Sequence, residues 1–204
     1  MKKVIIMFTL LVVIPISSFS QTIENIDYIS PFNEGVAAIK KNNQWAFINK
    51  VGDIVINFRN DLVVTASVNG NYPIFNSGRC LIVKKENGIS YFGYIDSLGN
   101  TAIEPQFLNA TAFNNNVATA LKLEKEEVGK NTALNKGIVY YKYFEVVIDI
   151  NGTIKTYLTQ KGVNIALDRK FLRKPPKFLT KQLSNNLIAV KSDNGKWTIK
   201  KIIE

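Results

Sequence analysis

The feature that most restricts the fold is a short pattern that returns along the chain. Phe32-Asn33-Glu34-Gly35 leads into the apolar run Val36–Ile39, then Trp45-Ala46-Phe47-Ile48, then Asn49-Lys50-Val51-Gly52 and Ile54-Val55-Ile56. The same order recurs from Phe75: Leu81-Ile82-Val83, Phe92-Gly93-Tyr94-Ile95, Asp96-Ser97-Leu98-Gly99, Thr101-Ala102-Ile103. A third copy starts at Phe113 and resumes at Val146-Val147-Ile148 and Asp149-Ile150-Asn151-Gly152; a fourth, truncated one runs from Leu183 to Ile199. Repeated order at this spacing is the mark of one supersecondary unit stacked several times, each copy burying apolar surface against the next.

The unit reads as three antiparallel strands. Asn49, Asp96 and Asp149 each stand three residues before a glycine. An Asx side chain opening a turn accepts backbone N–H groups, and glycine closing it adopts positive φ without a Cβ clash. Asp96 and Asp149 are therefore expected as turn residues and not as catalytic or metal-binding carboxylates. Runs such as Val36–Ile39 are apolar on both faces, which suits strands covered on both sides. Small residues at Ala46 and Gly93 should let backbones approach closely. Phe32, Phe75 and Phe113 are the expected anchors between units, and Pro105 and Pro176 fit where a third strand leaves its ladder. The expected class is all-β: degenerate antiparallel three-stranded units packed side by side, with copies starting near 32, 75, 113 and 183.

Two stretches depart from the pattern. Residues 121–143, dense in charge, read as an elongated surface hairpin whose strands close on Tyr140, Tyr141 and Tyr143, with a partner-binding arm as the sharper alternative. Within 161–181, Leu167, Phe171 and Leu172 fall on one helical arc and Arg169, Lys170, Arg173 and Lys174 on the other, so one short helix is expected near 165–174, stopped by Pro175-Pro176. Residues 121–204 hold 17 basic and 8 acidic side chains, a net of +9, whereas residues 21–120 carry a net of −1. An anionic polymer or lipid surface should meet this second half, and Arg169, Lys170, Arg173, Lys174 and Lys177 are the candidate contacts.

The chain opens with Lys2-Lys3, an apolar core Val4–Ile16 and small residues up to Ser20. That is the layout of a secretory signal peptide at 1–20, cut before Gln21, leaving 21–204 as one β domain without a spanning segment. Cys80 is the only cysteine, which rules out an internal disulfide, and its apolar flank makes it a buried hydrophobe. Histidine is absent, which removes Ser-His and Cys-His nucleophile pairs and imidazole metal sites.

These residues resemble the WG-repeat family, β-rich bacterial repeats named for a Trp-Gly or aromatic-Gly pair. The family pattern runs Phe-x-x-Gly-small-Ala, aromatic-Gly-aromatic-Ile-Asp, a turn glycine, then Ile-x-Pro-x-aromatic. The second copy matches through Phe75, Gly78, Phe92-Gly93-Tyr94-Ile95-Asp96, Gly99, Ile103 and Pro105. The first has Ala46 at the glycine of the pair, and the third has Glu145-Val146 in place of the pair. The resemblance implies an all-β repeat architecture, no known chemistry, and a role as an interaction module.

No phosphate-binding glycine loop occurs, and Ser192-Asp193-Asn194 lacks the companion motifs of penicillin-binding proteins. No cofactor and no specific nucleic-acid partner are implied. The leading expectation is an exported, non-catalytic binding module of the bacterial envelope, in the periplasm or at the cell surface, with an envelope protein or a glycan as partner. An electrostatic binder of anionic polymer or lipid headgroups is the alternative, and a carboxylate-based hydrolase a remote third.

Overall fold

The computed structural model describes residues 23–131, 136–184, 187–192 and 194–201; the expected signal peptide lies outside them. Among the described residues all regular structure is β, and no helix is long and apolar enough to cross a membrane. Unit one comprises β1 (Tyr28–Ile29), β2 (Val36–Lys41), β3 (Gln44–Asn49) and β4 (Ile54–Arg59), a sheet in that order. A small hairpin, β5 (Thr65–Ser67) and β6 (Gly70–Tyr72), follows. Unit two is β7 (Cys80–Glu86), β8 (Ile89–Ile95) and β9 (Thr101–Ala110); unit three is β10 (Val117–Asn131), β11 (Lys136–Asp149) and β12 (Ile154–Tyr157). These join in one sheet, β12-β11-β10-β9-β8-β7, to which β13 (Val163–Ile165) adds on β11. β14 (Thr180–Ser184), β15 (Leu187–Lys191) and β16 (Trp197–Lys201) form the last sheet.

Local chemistry sets these hairpins. The loops at Asn42-Asn43 and Asn87-Gly88 have both central residues at positive φ, the two-residue turn whose twist matches that of paired strands. The Phe-Asn-x-Gly motif makes the same turn: Glu34-Gly35 and Ser77-Gly78 have positive φ, as do Asn115-Asn116, and Asn33 pairs with Val36, Asn76 with Arg79 and Asn114 with Val117. The expected Asx turns form as read. The Oδ1 of Asn49 accepts the N–H groups of Val51 and Asp53, that of Asp96 those of Leu98 and Asn100, and that of Asp149 those of Asn151 and Thr153, at 2.9–3.0 Å. Gly52, Gly99 and Gly152 close them at φ 95, 83 and 81°.

Adjacent units are related by recurring contacts. The Phe75 ring packs on Phe47 of unit one, with centroids 4.8 Å apart, and Phe113 packs on Tyr94 of unit two at 4.7 Å. Gly99 sits over Ile56, and Gly152 over the equivalent Ile103. The motif turns also stack: the Glu34 carboxylate accepts the Ser77 and Gly78 N–H groups at 2.6 and 2.9 Å, and Ser77 Oγ accepts the Asn116 N–H at 3.0 Å. The strand leading into units one, three and four pairs in a common register, Ile29 opposite Ile39, Ala110 opposite Ala120, Thr180 opposite Val190; in unit two Leu62, further upstream, takes that place opposite Ile82. Strands such as Val36–Ile39 are covered on both faces as expected.

Phe75 and Phe113 are buried at 2 % exposure, but Phe32 is 49 % exposed and is not an anchor. Each phenylalanine needs the aromatic strand of the unit before it, and among the described residues none precedes unit one. At the third junction Val147 takes the place of Phe47 and Tyr94, and Ile188 takes that of Cys80 and Ala118; the larger aliphatic fills the space, and Leu183 stays half exposed. β16 is exposed throughout, so double-sided burial does not extend to it.

Pro105 does not mark a strand end. It lies inside β9, in a bulge between Ile103, opposite Tyr94, and Phe107, opposite Phe92. The bulge presses on Gly93, where a Cβ would collide with the Ile103 carbonyl oxygen and come within 2.6 Å of the Pro105 nitrogen. In unit one the register between the corresponding strands shifts by one residue less, from Ile56 opposite Phe47 to Arg59 opposite Trp45, and Ala46 fits.

The insertion at 121–143 is the expected long hairpin, with β10 and β11 paired from Val117–Asp149 to Asn131–Lys136. No helix forms at 165–174. Val163–Ile165 is a strand against Tyr141–Tyr143, because the lengthened β11 offers an edge that β12 does not reach. A single turn follows, in which the Asp168 carbonyl accepts the N–H groups of Phe171 and Leu172, both at 3.0 Å. Asp168 Oδ1 takes the Lys170 N–H at 2.7 Å, the side-chain competition that favours turns over helix. Of the expected apolar arc, Leu172 is buried with Ile89, Leu108, Leu121 and Tyr143, and Phe171 is exposed.

Candidate functional site

The Asp168 turn carries the basic cluster over the β7–β8 hairpin. Leu172, held in the core below, anchors it, and the stem of Arg169 lies across Gly88: a Cβ there would come within 2.7 Å of Arg169 Cδ. Arg169, Lys170 and Arg173 line an open depression of about 870 Å³ together with Lys85, Gly88 and Asp168. The structure brings three of the five expected cations together. Lys174 lines a narrow neighbouring cleft with Ile89, Ser90, Leu108, Leu172, Pro175 and Pro176, and Lys177 is exposed further along the segment. Lys85 is the member that the sequence did not reveal, since only tertiary folding sets it beside the turn.

The charge of this depression is one-sided. None of Lys85, Arg169, Lys170 and Arg173 makes an ion pair among the described residues, whereas the neighbouring Lys84 is held by Glu86 at 2.7 Å. The hydrogen bond from Lys84 to Glu86 raises the ammonium pKa above its ordinary value. Among the described residues on the lining Asp168 is the one acid, and its Oδ1 already accepts the Lys170 N–H. Several cations around one concavity give a positive field that attracts anions and is screened by salt.

A second depression, about 510 Å³, is lined by Val139, Tyr140, Tyr141 and residues 164–167, which precede the turn. Tyr140 is 56 % exposed. The acid opposite it across the hairpin, Glu126, is ion-paired with Lys142.

Other chemistry-bearing groups are committed to structure. Burial by itself would raise the Asp96 carboxyl pKa; the N–H groups of Asn100 and Leu98 outweigh this and hold it below the ordinary carboxylate range. Cys80 is fully buried, as expected, and burial pushes its thiol up to about 12, so it is not a nucleophile at neutral pH. Glu145 occupies the repeat position of Trp45 and Phe92, is 1 % exposed, and its Oε1 accepts the Leu179 N–H that leads into β14. Among the described residues no group of three or more acidic or cysteine side chains is placed to hold a metal ion.

Comparison with curated proteins and with solved structures gave no match. A family model matches two segments, one covering the lead-in, motif turn and β2 of unit one, the other running from the Phe92-Gly93 pair of unit two into β10 of unit three. It is that of the WG containing repeat, matched at residues 23–45 and 92–125, and the chain carries this repeat.

Proposed function

We propose that this β-repeat protein is an exported, non-catalytic interaction module of the bacterial cell envelope. The observation that carries the reading is the use of its polar motif side chains: Glu34, Ser77, Asn49, Asp96 and Asp149 all accept backbone N–H groups that hold turns and join units. Such a stack presents an extended surface on a rigid scaffold, as repeat proteins use for binding. The signal-like residues 1–20 support export. N-terminal sequencing of the mature protein should begin at Gln21, and crosslinking in whole cells should capture one specific partner. Retention of the first twenty residues in the cytoplasm, or a reproducible hydrolase activity abolished by one carboxylate change, overturns the reading.

The unpaired cations favour a second reading, in which the partner is an anionic polymer or headgroup surface met at Arg169, Lys170, Arg173, Lys174 and Lys177 with Lys85. Binding should fall steeply with salt, because exposed charges are screened over about 8–10 Å at 0.1–0.15 M ionic strength. Reversal of Arg173 and Lys170 to Glu should abolish it.

A further inference from the structure

We infer that copies of this chain join head to tail, the β1 edge and Phe32 of one copy docking on β16 of another. Each end of the stack carries half of a junction that occurs complete inside the chain.

The complete junction lies between units two and three. The near end of β9 pairs with β8, Phe107 opposite Phe92, and its far end leads into unit three, Ala110 opposite Ala120. Just beyond, the Thr111 N–H donates to the Thr119 carbonyl and the Thr119 N–H to Thr111 Oγ1 at 3.1 Å. Phe113 then packs on Tyr94. The β1 segment repeats the far half of this arrangement. Ile29 lies opposite Ile39, the Ser30 N–H donates to the Ala38 carbonyl, and the Ala38 N–H donates to Ser30 Oγ at 2.8 Å. Ile26 stands four residues before Ser30, as Phe107 does before Thr111. Among the described residues no strand takes the outer edge of β1, and Ile29 and Phe32 are exposed.

The near half is found on β16. Its Trp197 and Ile199 occupy the places of Phe92 and Tyr94, and both are more than half exposed. The equivalent strands β3, β8 and β11 each have a third strand beside them, β4, β9 and β12, whereas β16 has none among the described residues. Docking in the register of the internal junction brings Ile26 opposite Trp197 and Phe32 onto Ile199. Ala37, Ile39 and Ala46 of unit one are already buried, so the contact consists of the strand edge and these side chains, one sheet extending another.

Charge selects the orientation. Exposed Glu24 and Asp27 flank Ile26, whereas exposed Lys196, Lys200 and Lys201 flank Trp197 and Ile199, and none of the five makes an ion pair among the described residues. Lysines along an open edge repel a second edge of the same kind, which disfavours two β16 strands and favours the acidic head. A contact between two different surfaces propagates into chains or rings.

The test is sedimentation velocity of the purified protein, residues 21–204, over a concentration series, with Phe32→Lys at the head and Ile199→Lys at the tail. The parent should form species beyond the dimer as concentration rises. Each variant alone should associate about tenfold more weakly or worse, the loss of one apolar contact of about 1.4 kcal/mol. An equimolar mixture of the two should form a dimer and nothing larger, because only one intact head and one intact tail remain. Ile29→Lys and Trp197→Lys, also at exposed positions, repeat the experiment should either first variant fail to fold. Association lost with Ile199→Lys but kept with Phe32→Lys would mean tail-to-tail pairing and overturns the inference. A parent that stays monomeric throughout, association indifferent to both changes, or a mixture that recovers no dimer overturns it as well.

Discussion

Gly93 lies directly beneath Pro105, so close that a Cβ would meet the proline nitrogen at 2.6 Å. The glycine of the aromatic-Gly pair is thus a steric demand of the third strand. Where β9 bulges over β8 glycine is required, and in unit one, with the smaller register shift, alanine stands at the same place. Gly93→Ala should destabilise the protein by about 1–3 kcal/mol, the usual cost of overpacking, because the colliding atoms are backbone. Ala46→Gly relieves no clash and should cost about 1–2 kcal/mol, from chain entropy and the loss of a buried methyl. Urea denaturation checks the first value; a Gly93→Ala variant as stable as the parent would show that the bulge does not set the residue.

The junction phenylalanines give a second contrast. Phe113→Ala empties a buried site against Tyr94 and should cost about 3–5 kcal/mol. Phe32→Ala, at a position 49 % exposed, should cost well under half of that. The two residues head the same motif, so only the neighbouring unit separates them. Denaturation midpoints that move equally would refute the junction rule.

These cases show which parts of the structure were legible in the sequence. The Asx–Gly turns were, because their hydrogen bonds close within four residues and the residues name the geometry. The long hairpin was also legible, as an apolar strand prolonged by charge. The burial of Phe32 was misjudged because it depends on a neighbouring unit, which the motif does not encode. The helix near 165–174 failed because an edge of β11 and the Asp168 side chain competed for the same residues. The basic cluster was legible in composition, but its partner Lys85 lies 84 positions before Arg169. Glu145 announced itself only as a break in the aromatic-Gly pattern, with no hint that it would reach Leu179.

Acid should reveal the Asp96 turn. Its folded carboxyl lies below the ordinary value of about 3.9, so the charged form is favoured by the fold. The stability it contributes is therefore complete above the unfolded value and is lost as pH falls through the folded one. Asp96→Asn keeps an oxygen for Leu98 and Asn100, as Asn49 does in unit one. The variant should lose part of the acid limb of the stability profile: the difference in Tm from the parent should be greatest above pH 4 and shrink below it. A constant offset from pH 2 to 7 would remove the carboxylate from the account.

Glu145 ties the last unit to the third. Its Oε1 accepts the Leu179 N–H, while Oε2 and, along β14, Thr180 Oγ1 and Gln182 Nε2 are buried without a partner among the described residues. Thr180 and Gln182 alternate onto one face of their strand, opposite Val190 and Ile188, and Ile188 packs on Val147, two residues from Glu145 on β11. The three polar groups therefore share one seam, suited to ordered water, which commonly satisfies such groups. Glu145→Ala leaves the Leu179 N–H orphaned and should cost about 1–3 kcal/mol, with amide exchange accelerating across β14 and β15 before the rest of the protein. Glu145→Gln preserves an acceptor and should retain most of that protection. If the glutamine variant loosens β14 and β15 as much as alanine does, the hydrogen bond to Leu179 is not what holds the unit in place.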